Sequence, residues 1–387
     1  MIWLLIYILL GPAFWALYAL SMLMASSRMN RLRRPAQQLM THPRVSILIP
    51  AKDEGEPIRN CLDSVLAFDY PHVEIITIND RSADQTGAIM DEYAARAPDK
   101  LRVIHITDPL PPKWLGKCHA LWTAEKHAQG DWILFVDSDV KISSDSLSCT
   151  LALALNRDYD AVSIMTKLDC DSFLEHLVLP LAAASVSSMC LISLTNDDNR
   201  PIAFANGQFF LIKRAAYEAV GGHECVRDHI TEDVALMRIL KSKGFRTRLY
   251  MGRDFASTRM HSTYRQMLNG WGRIYSGVSS RKPWRILAAM LVALTGLLAW
   301  LLLPLAVILH NNPLALAAAL HFILVIGVVA TFYHWSGNRM RWALLFPASA
   351  AILLTLYSKA LVMCFTGNVA WRGTTYTYKA AISHSKT

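Results

Sequence analysis

The stretch WILFVDSDV at residues 132–140 joins an apolar run to two aspartates that a single serine separates. Its first five residues predict a buried strand. Residues i and i+2 of a strand point to the same face, so Asp137 and Asp139 project together unless the chain turns between them. Two carboxylates held side by side repel each other, and a hard divalent cation with oxygen ligands is the usual compensation. A polar turn after the strand is the alternative, because Asp and Ser are common turn formers.

The segments before this stretch alternate short strands with helical patterns, which is typical of a parallel α/β sheet. Strands are predicted at residues 44–50, 73–78, 101–106 and 132–136, and helices at residues 56–68 and 84–96. Ligands of such sheets bind at the carboxyl ends of the strands. Acidic residues follow three of these strands: Asp53 and Glu54 the first, Asp80 the second, and Asp137 and Asp139 the fourth. The sequence therefore predicts an acidic site at this edge of the sheet.

The residues after the first strand, PAKDEGE, contain neither GxGxxG nor GxxxxGK[ST]. A dinucleotide dehydrogenase or a P-loop enzyme needs glycines there so that the backbone can approach phosphate closely. The sequence thus argues against both classes. What remains is a site that handles phosphate through a metal held by carboxylates, with other carboxylates accepting hydrogen bonds from a base or a ribose.

Long apolar segments indicate a membrane-embedded part in this chain, which is 53% hydrophobic over 387 residues. Residues 2–23 carry no charge and could span a bilayer as a retained anchor, since they lack the basic n-region of a cleaved signal peptide. Further spans are predicted at residues 286–309 and 314–333. A third C-terminal span, 343–365, contains Pro347 and Lys359, and a lysine at that depth must snorkel or find a partner.

The net charge of +9 is concentrated beside these spans. Arginines occur at residues 28–44 after the first span, and basic residues at 281–285 and 339–341 flank the later ones. By the positive-inside rule these flanks are cytoplasmic, so the domain between them faces the cytoplasm. The pattern argues against nucleic acid as a partner, because the basic residues do not lie among exposed aromatics. Seven scattered cysteines without CxxC spacing predict free thiols rather than disulfides.

Several motifs within residues 45–277 resemble, in order and approximate spacing, those of the inverting family 2 glycosyltransferases of GT-A fold. The motifs are PAKDE (50–54), INDRSADQT (78–86), PPKWLGKCHAL (111–121), VDSD (136–139) and GGHECVRDHITEDVAL (221–236). The resemblance implies an α/β GT-A domain that binds a nucleotide-sugar on a Rossmann-like mixed sheet. An N-terminal transmembrane anchor precedes this domain and a C-terminal transmembrane helical region follows it.

The resemblance implies that Asp53, Asp80 and Lys117 contact the donor, for which a UDP-sugar is expected. Asp53 belongs to the opening nucleotide loop, Asp80 would accept from the uracil ring, and Lys117 would be a counter-ion for phosphate. The alternative for Lys117 is a solvated charge beside a loop glycine. His119 and His261 are left outside the site, because a lone histidine is more often structural.

The same resemblance implies that Asp137 and Asp139 bind a metal ion, Mg²⁺ or Mn²⁺, which is held on the donor diphosphate. It implies that Asp137 also contacts the donor. The metal would offset charge on the leaving diphosphate as a Lewis acid. Asp233 would be the catalytic base that takes the proton of the acceptor hydroxyl. The alternative for Asp233 is an ordinary acid at a helix N-terminus before the amphipathic run VALMRILKSKG, where capping and the helix dipole favour carboxylates.

The acceptor is predicted to be a lipid. Processive members of the family carry Gln-x-x-Arg-Trp after the base, whereas this chain has QMLNGW at 266–271. It also has few spans with which to build a polymer channel. A processive polysaccharide synthase and a catalytically silent scaffold of the same fold are the alternatives. Asn206 and Gln208 beside GQFF could bind sugar hydroxyls, although ordinary strand-edge amides explain them nearly as well.

The layout resembles that of bacterial enzymes that glycosylate carotenoid or hopanoid lipids, with ceramide glucosyltransferases as more distant relatives. It implies an anchor at 1–27, a cytoplasmic catalytic domain at 43–263, an interfacial segment at 264–285, membrane helices at 286–365 and a tail at 366–387. The protein is expected in the inner (plasma) membrane. Arg372 in the tail would return to the active site only if 343–365 is re-entrant or interfacial.

Overall fold

The computed structural model describes residues 2–34, 41–371 and 374–377. The chain divides into two compact units. The sheet unit comprises Arg28–Asp169 and Leu191–Met260, and the helical unit comprises Met1–Ser27, Cys170–Cys190 and His261–Thr387. The segment Cys170–Cys190 lies inside the range 43–263 that the sequence assigns to one continuous domain. This segment belongs to the helical unit, and the predicted domain bounds stay a prediction.

The strands of the described residues, in chain order, are β1 Val45–Ala51, β2 Val73–Asp80, β3 Leu101–Ile106, β4 Trp132–Phe135, β5 Val140–Ile142, β6 Ala161–Met165, β7 Lys167–Leu168, β8 Phe210–Lys213, β9 Thr247–Met251, β10 Ala256–Thr258, β11 Asn368–Trp371 and β12 Thr374–Thr377. The α-helices are α1 Ile2–Ile8, α2 Phe14–Arg28, α3 Ile58–Leu66, α4 Thr86–Arg96, α5 Gly116–Glu125, α6 Ser146–Arg157, α7 Phe173–Met189, α8 Arg214–Ala219, α9 Glu232–Ser242, α10 Tyr264–Val278, α11 Pro283–Ile308, α12 Asn312–Trp335 and α13 Phe346–Thr366.

The main sheet of the sheet unit has seven strands in the order β3-β2-β1-β4-β8-β6-β9. Strands β3, β2, β1 and β4 are parallel, whereas β8 runs antiparallel to both β4 and β6. A second, smaller sheet has three strands in the order β5-β10-β7. The predicted Rossmann-like mixed sheet is therefore confirmed, and its four predicted strands correspond to β1 to β4.

Strand β1 shows why this sheet forms. All seven residues of VSILIPA are buried, as expected for a central parallel strand that is covered on both faces. Ile47 and Ile49 pack into one hydrophobic core and Leu48 into the other. This alternation is the two-residue period of a strand. The carboxyl ends of β1, β2 and β4 consequently open at one edge of the sheet.

Four helices of the described residues are long and apolar enough to cross a membrane: Ile2–Arg28, Pro283–Ile308, Asn312–Trp335 and Met340–Thr366. They correspond to the four predicted spans. The first is interrupted by a π-helical turn, Leu9–Ala13, that contains Pro12. Proline removes a backbone donor, and a π turn is a common accommodation of such a break.

The π turn also allows a close contact within the helical unit. A Cβ atom at Gly11 would lie 2.8 Å from the His321 ring, so only glycine fits there. His321 Nδ1 is 3.0 Å from the hydroxyl of Tyr7, and Trp15 Nε1 donates to Thr295 Oγ1 at 3.3 Å. These contacts join the N-terminal helices to α11 and α12.

Helix α7 lies within the predicted catalytic range 43–263 but belongs to the helical unit. It begins with a capping box between Ser172 and Glu175. Hydroxyl groups from three other helices bond to it: Tyr275 of α10 donates to Ala182 O, Tyr333 of α12 to Leu177 O and Tyr357 of α13 to Ser185 Oγ. Because its residues are apolar on nearly every side, α7 needs helices around it.

The segment predicted to be interfacial forms helix α10, which starts at a capping box between Thr263 and Gln266. Its position at a membrane interface stays a prediction. Strands β11 and β12 form an antiparallel hairpin in the tail. Arg372 lies outside the described residues, so its predicted return to the site stays a prediction as well.

Candidate functional site

The loop after β1 is tied to the loop after β2. Asp53, which has a left-handed φ of 50°, accepts a hydrogen bond from Ala83 N at 2.7 Å and donates its own N–H to Ser82 Oγ at 3.1 Å. Thr86 Oγ1 accepts from the N–H groups of Glu54 and Gly55, both at 2.9 Å. The two predicted nucleotide loops therefore form one hydrogen-bonded rim.

Asp80 ends β2 and is buried, with 3% of its surface exposed. It forms an ion pair with Arg81, whose guanidinium also donates to Asp108 O at 3.0 Å. Burial raises the pKa of the Asp80 carboxyl, although the charges of Arg81 and Lys52 oppose this shift. An acidic group in this environment is stabilised by additional hydrogen-bond donors, such as the N–H of a base.

Lys117 lies in the first turn of α5 and bridges two acids. Its Nζ atom is 2.6 Å from Asp137 Oδ1 and 2.7 Å from Glu232 Oε1. Burial alone would lower the pKa of Lys117, but the charges of Asp137 and Glu232 outweigh it and raise this pKa well above its ordinary value. The loop before α5 is held in place where Leu115 N donates to Arg227 O at 2.8 Å. Lys117 is thus a charged group of the site rather than a solvated one.

Asp137 and Asp139 follow β4 in a loop, because the strand ends at Phe135. The loop is fixed where Thr258 Oγ1 donates to the backbone carbonyl of Asp139 at 3.1 Å. Burial, followed by the charges of Asp137 and Glu54, raises the pKa of the Asp139 carboxyl to about 7. Negative charge is therefore crowded at the carboxyl end of β4, as the sequence predicts.

A divalent cation bound here would compensate the crowded negative charge of these carboxylates. Among the described residues, no group of three or more His, Cys, Asp or Glu side chains is placed to hold a metal ion. Mg²⁺, however, is usually bound by one or two carboxylates together with substrate phosphates rather than by a cage made only of protein. Asp137 and Asp139 fit that kind of site, in which the metal arrives with a diphosphate.

Asp233 lies in the first turn of α9 and faces the same cluster. Its Oδ2 atom accepts from Gly207 N at 2.6 Å, and its Oδ1 atom accepts from Val234 N at 2.7 Å. Burial and the neighbouring charge of Glu232 raise the pKa of Asp233 to about 7. A carboxyl whose pKa lies near neutrality is suited to general-base catalysis. Asp233 therefore lies at a helix N-terminus, as the alternative interpretation predicts. It also lies beside Lys117 and Asp137 in the candidate site.

Gly207 explains how these groups approach one another. A Cβ atom at this position would lie 3.0 Å from Lys117 Nζ and 3.2 Å from Asp233 Oδ2. Glycine therefore permits the backbone of the segment before β8 to pass between the lysine and the aspartate. The glycine of the GQFF motif has a steric reason that the sequence reading did not identify.

A small pocket connects the site residues. Its lining includes Pro50, Lys117, Leu121, Phe135, Val136, Asp137, Gly207, Phe210, His223, Glu232 and Asp233. The structure thus brings Lys117, Asp137 and Asp233 together. Asp53 and Asp80 lie on neighbouring strand ends of the same sheet edge and do not line this pocket.

Two ionisable residues of the pocket are not among the predicted site residues, Glu232 and His223. The signal for Glu232 was its position directly before Asp233. His223 Nδ1 is 2.8 Å from the hydroxyl of Tyr217, and its ring packs edge-on against Phe135. Burial, followed by the charge of Lys117, lowers the pKa of His223 to about 3, so the ring is neutral.

Four weaker candidates have structural roles in the described residues. The side-chain amide of Asn206 donates to Ile164 O at 3.3 Å and to Gln208 Oε1 at 3.2 Å, which supports the strand-edge interpretation of both amides. His119 packs between Trp114 and Trp122. His261 belongs to the helical unit and packs against α10 at Gly270.

The chain is similar to known proteins in sequence and in fold. A family model described as Glycosyltransferase like family 2 matches residues 42–271. The 4,4'-diaponeurosporenoate glycosyltransferase of Staphylococcus aureus (strain MRSA252) is 29% identical over 265 residues, which are 67% of this chain and 68% of that protein. The solved structure of the mannosyltransferase PcManGT from Pyrobaculum calidifontis, in complex with GDP-Man and Mn²⁺, is 17% identical, with a TM-score of 0.53 over 90% of this chain and 94% of that one. The latter likeness concerns the fold.

Proposed function

The chain belongs to the family described as Glycosyltransferase like family 2, and on this premise we propose that it is an inverting, metal-dependent enzyme that transfers one sugar from a nucleotide-sugar, a UDP-sugar, to a lipid hydroxyl. The observation that carries the proposal is the pocket in which Lys117 bridges Asp137 and Glu232 beside Asp233. In this pocket Lys117 would offer a positive charge to the donor phosphates, and Asp233 would offer a carboxylate for proton transfer.

The donor lies along the rim formed by the loops after β1, β2 and β4. Asp53 orders the opening loop and Asp80 accepts a hydrogen bond from the base. Asp137 and Asp139 would hold Mg²⁺ or Mn²⁺, which supplies Lewis-acid stabilisation to the diphosphate when it is bound. Lys117 contributes a second positive charge on the leaving-group side.

Asp233 acts on the acceptor. Its carboxylate removes the proton of the lipid hydroxyl while the hydroxyl oxygen bonds to the anomeric carbon. The bond from that carbon to the diphosphate breaks in the same step, and the nucleoside diphosphate leaves with the electron pair. A single displacement of this kind inverts the anomeric centre. Gly207 N, 2.6 Å from Asp233 Oδ2, fixes the orientation of the base.

A lipid acceptor is supported by the name of the staphylococcal relative, a 4,4'-diaponeurosporenoate glycosyltransferase, and by the four helices able to cross a membrane. The arginines after the first span and beside the later ones favour a cytoplasmic sheet unit on the inner membrane. A nucleotide-sugar donor is made in the cytoplasm, so this orientation gives the pocket access to it.

The test uses the full chain in lipid nanodiscs and measures nucleoside diphosphate release from a panel of sugar nucleotides, with and without a bacterial lipid extract. Asp233→Asn and Asp139→Asn should each lower lipid-stimulated release by at least about 100-fold. Asp228→Asn is the matched control, since it removes an exposed carboxylate from the same segment and should leave the rate unchanged. Chelation by EDTA should abolish release, and Mn²⁺ or Mg²⁺ should restore it.

Each other outcome has a defined meaning. Release that yields only water-soluble polymer would replace the proposal with a polysaccharide synthase. An absence of donor binding and of release, with either metal, would replace it with a silent scaffold. Undiminished release after EDTA would overturn the metal requirement alone.

A further inference from the structure

The two units differ completely in their charge balance. The sheet unit contains 28 basic and 28 acidic residues, counting Lys, Arg, Asp and Glu, whereas the helical unit contains 11 basic and two acidic residues. The helical unit therefore carries the whole net charge of +9. No Asp or Glu follows Asp254 in the sequence. The last 133 residues therefore contain basic side chains but no acidic ones.

The two acids of the helical unit, Asp171 and Glu175, lie at the start of α7. The Glu175 carboxylate is fully buried and accepts hydrogen bonds from the N–H groups of Asp171 and Ser172, both at 2.7 Å. It is thus committed to the capping box. The helical unit has few means of neutralising a buried cation with its own side chains.

Lys359 is a cation of the helical unit that this shortage of acids concerns. It lies within α13, a candidate membrane span, and it is half-buried. Its Cγ atom is 2.9 Å from the position of a Cβ atom at Gly272, so the stem of the lysine packs directly on the backbone of α10. Within the part of the chain that the structure describes, the Lys359 ammonium has no hydrogen bond and no ion pair.

Snorkelling along α13 does not solve this problem. The helix ends at Thr366, seven positions after Lys359, which is about 10 Å of helix at 1.5 Å per residue. A stem of four carbons does not span that distance. An ionised side chain within an apolar span is therefore expected to meet a partner, and no acidic side chain among the described residues is paired with Lys359.

We propose that Lys359 binds the anionic headgroup of a membrane lipid, a phosphodiester or a carboxylate, against α10 at Gly272. The partner supplies the negative oxygen that the helical unit lacks. Binding is an equilibrium property of the helical unit and does not depend on sugar transfer, so this proposal stands or falls separately from the proposed enzymatic function.

The test is native mass spectrometry of the full chain released from detergent, with phosphatidylglycerol, oleate, phosphatidylcholine or inorganic phosphate added. The wild type should retain one phosphatidylglycerol or oleate at concentrations where phosphatidylcholine is lost. Lys359→Met should weaken this retention by at least about fivefold, the effect of one lysine near an anionic lipid. Lys282→Met, which removes an exposed charge before α11 of the same unit, is the matched control and should have a smaller effect.

The arms separate the possible sources of the anion. Retention of both anionic lipids supports a lipid headgroup site, whereas competition by inorganic phosphate alone would overturn the lipid assignment. Equal retention by Lys359→Met and Lys282→Met would overturn the role of Lys359. If Lys359→Met does not purify as a folded protein, Lys359→Arg must keep the preference, and a wild type that does not prefer the anionic lipids over phosphatidylcholine overturns the proposal without any variant.

Discussion

The charges of the sheet unit and those of the helical unit are handled in opposite ways. In the sheet unit, Lys117 lies between Asp137 and Glu232, and the unit as a whole is neutral. In the helical unit, Lys359 lies within an apolar helix with no acidic partner in the described residues. One unit therefore contains as many acidic as basic side chains, whereas the other carries the whole excess of positive charge.

The largest effect should follow removal of the cation in the balanced unit. Lys117→Met leaves Asp137 and Glu232 as neighbouring, largely buried like charges. We expect a loss of roughly 3 kcal/mol of stability, the usual order for breaking a buried ion pair, and a fall in transfer of at least about 100-fold. Thermal unfolding in nanodiscs and nucleoside diphosphate release measure the two effects.

Lys113→Met is the control for that variant, because Lys113 is an exposed lysine of the loop that precedes α5. It should leave the unfolding temperature unchanged and should change the rate of nucleoside diphosphate release by less than twofold. Equal behaviour of the two variants would remove the distinction between an internally paired lysine and a solvated one.

The next largest effect should be the dependence of the rate on pH. The Asp233 pKa is raised to about 7 by burial and by Glu232. A base must be deprotonated to act, so kcat/KM of the free enzyme should fall about tenfold per pH unit as the pH drops below about 7. A pH profile that stays flat from pH 5 to 8 would contradict the role of Asp233.

The same raised pKa values predict a dependence of stability on pH in the metal-free protein. The folded states of Asp139 and Asp233 hold protons more tightly than the unfolded chain does. The contribution of these two groups to stability should therefore be fully present below the unfolded pKa of about 4 and should be lost as the pH rises from 4 through about 7. Addition of Mn²⁺ with a nucleoside diphosphate should flatten this decline, because the metal compensates Asp139. Unfolding temperatures at pH 5 and 8, with and without Mn²⁺, check it.

A smaller and more selective effect is expected from Glu232→Gln. Loss of this charge removes one cause of the raised Asp233 pKa, so the acidic limb of the pH–rate profile should move to lower pH. The plateau rate should also fall about tenfold, because Lys117 loses one of its two anchors. If the limb does not move, the electrostatic connection between Glu232 and Asp233 is wrong.

The smallest effect concerns the helical unit. Gly272→Ala places a methyl group 2.9 Å from Lys359 Cγ, and overpacking of this kind costs roughly 1–3 kcal/mol. Gly327→Ala in α12 is the control, because nothing lies within 4 Å of its added Cβ. Unfolding temperatures should fall for the first variant and stay the same or rise slightly for the second. A similar fall in both would show that the contact between α10 and α13 is not specific.

The parts of the fold that the sequence predicts well are those with a local signal. Strands β1 to β4 are apolar and short, and their ends carry the acids that mark the sheet edge. The sequence WILFVDSDV predicts two aspartates directly after a buried strand, and the structure places them there, although the strand ends at Phe135, earlier than predicted. The long apolar helices were also recognisable, since their length alone exceeds what a globular core requires.

The parts that were not predicted depend on contacts between distant residues. The pairing of Lys117 with Glu232 joins positions 115 residues apart, and no local pattern indicates it. Helix α7 has the periodicity of a buried helix, which does not reveal the unit in which it is buried. Gly207 has a functional reason only when Lys117 and Asp233 are known to lie on either side of it.

The central claim is that Asp233 drives a single displacement that transfers one sugar to a lipid. The most direct measurement is the anomeric configuration of the lipid product, determined by NMR after reaction with an α-linked UDP-sugar. The account predicts a β-linked product from the wild type and from Asp228→Asn, and no product from Asp233→Asn. An α-linked product, or an unchanged yield from Asp233→Asn, would contradict it.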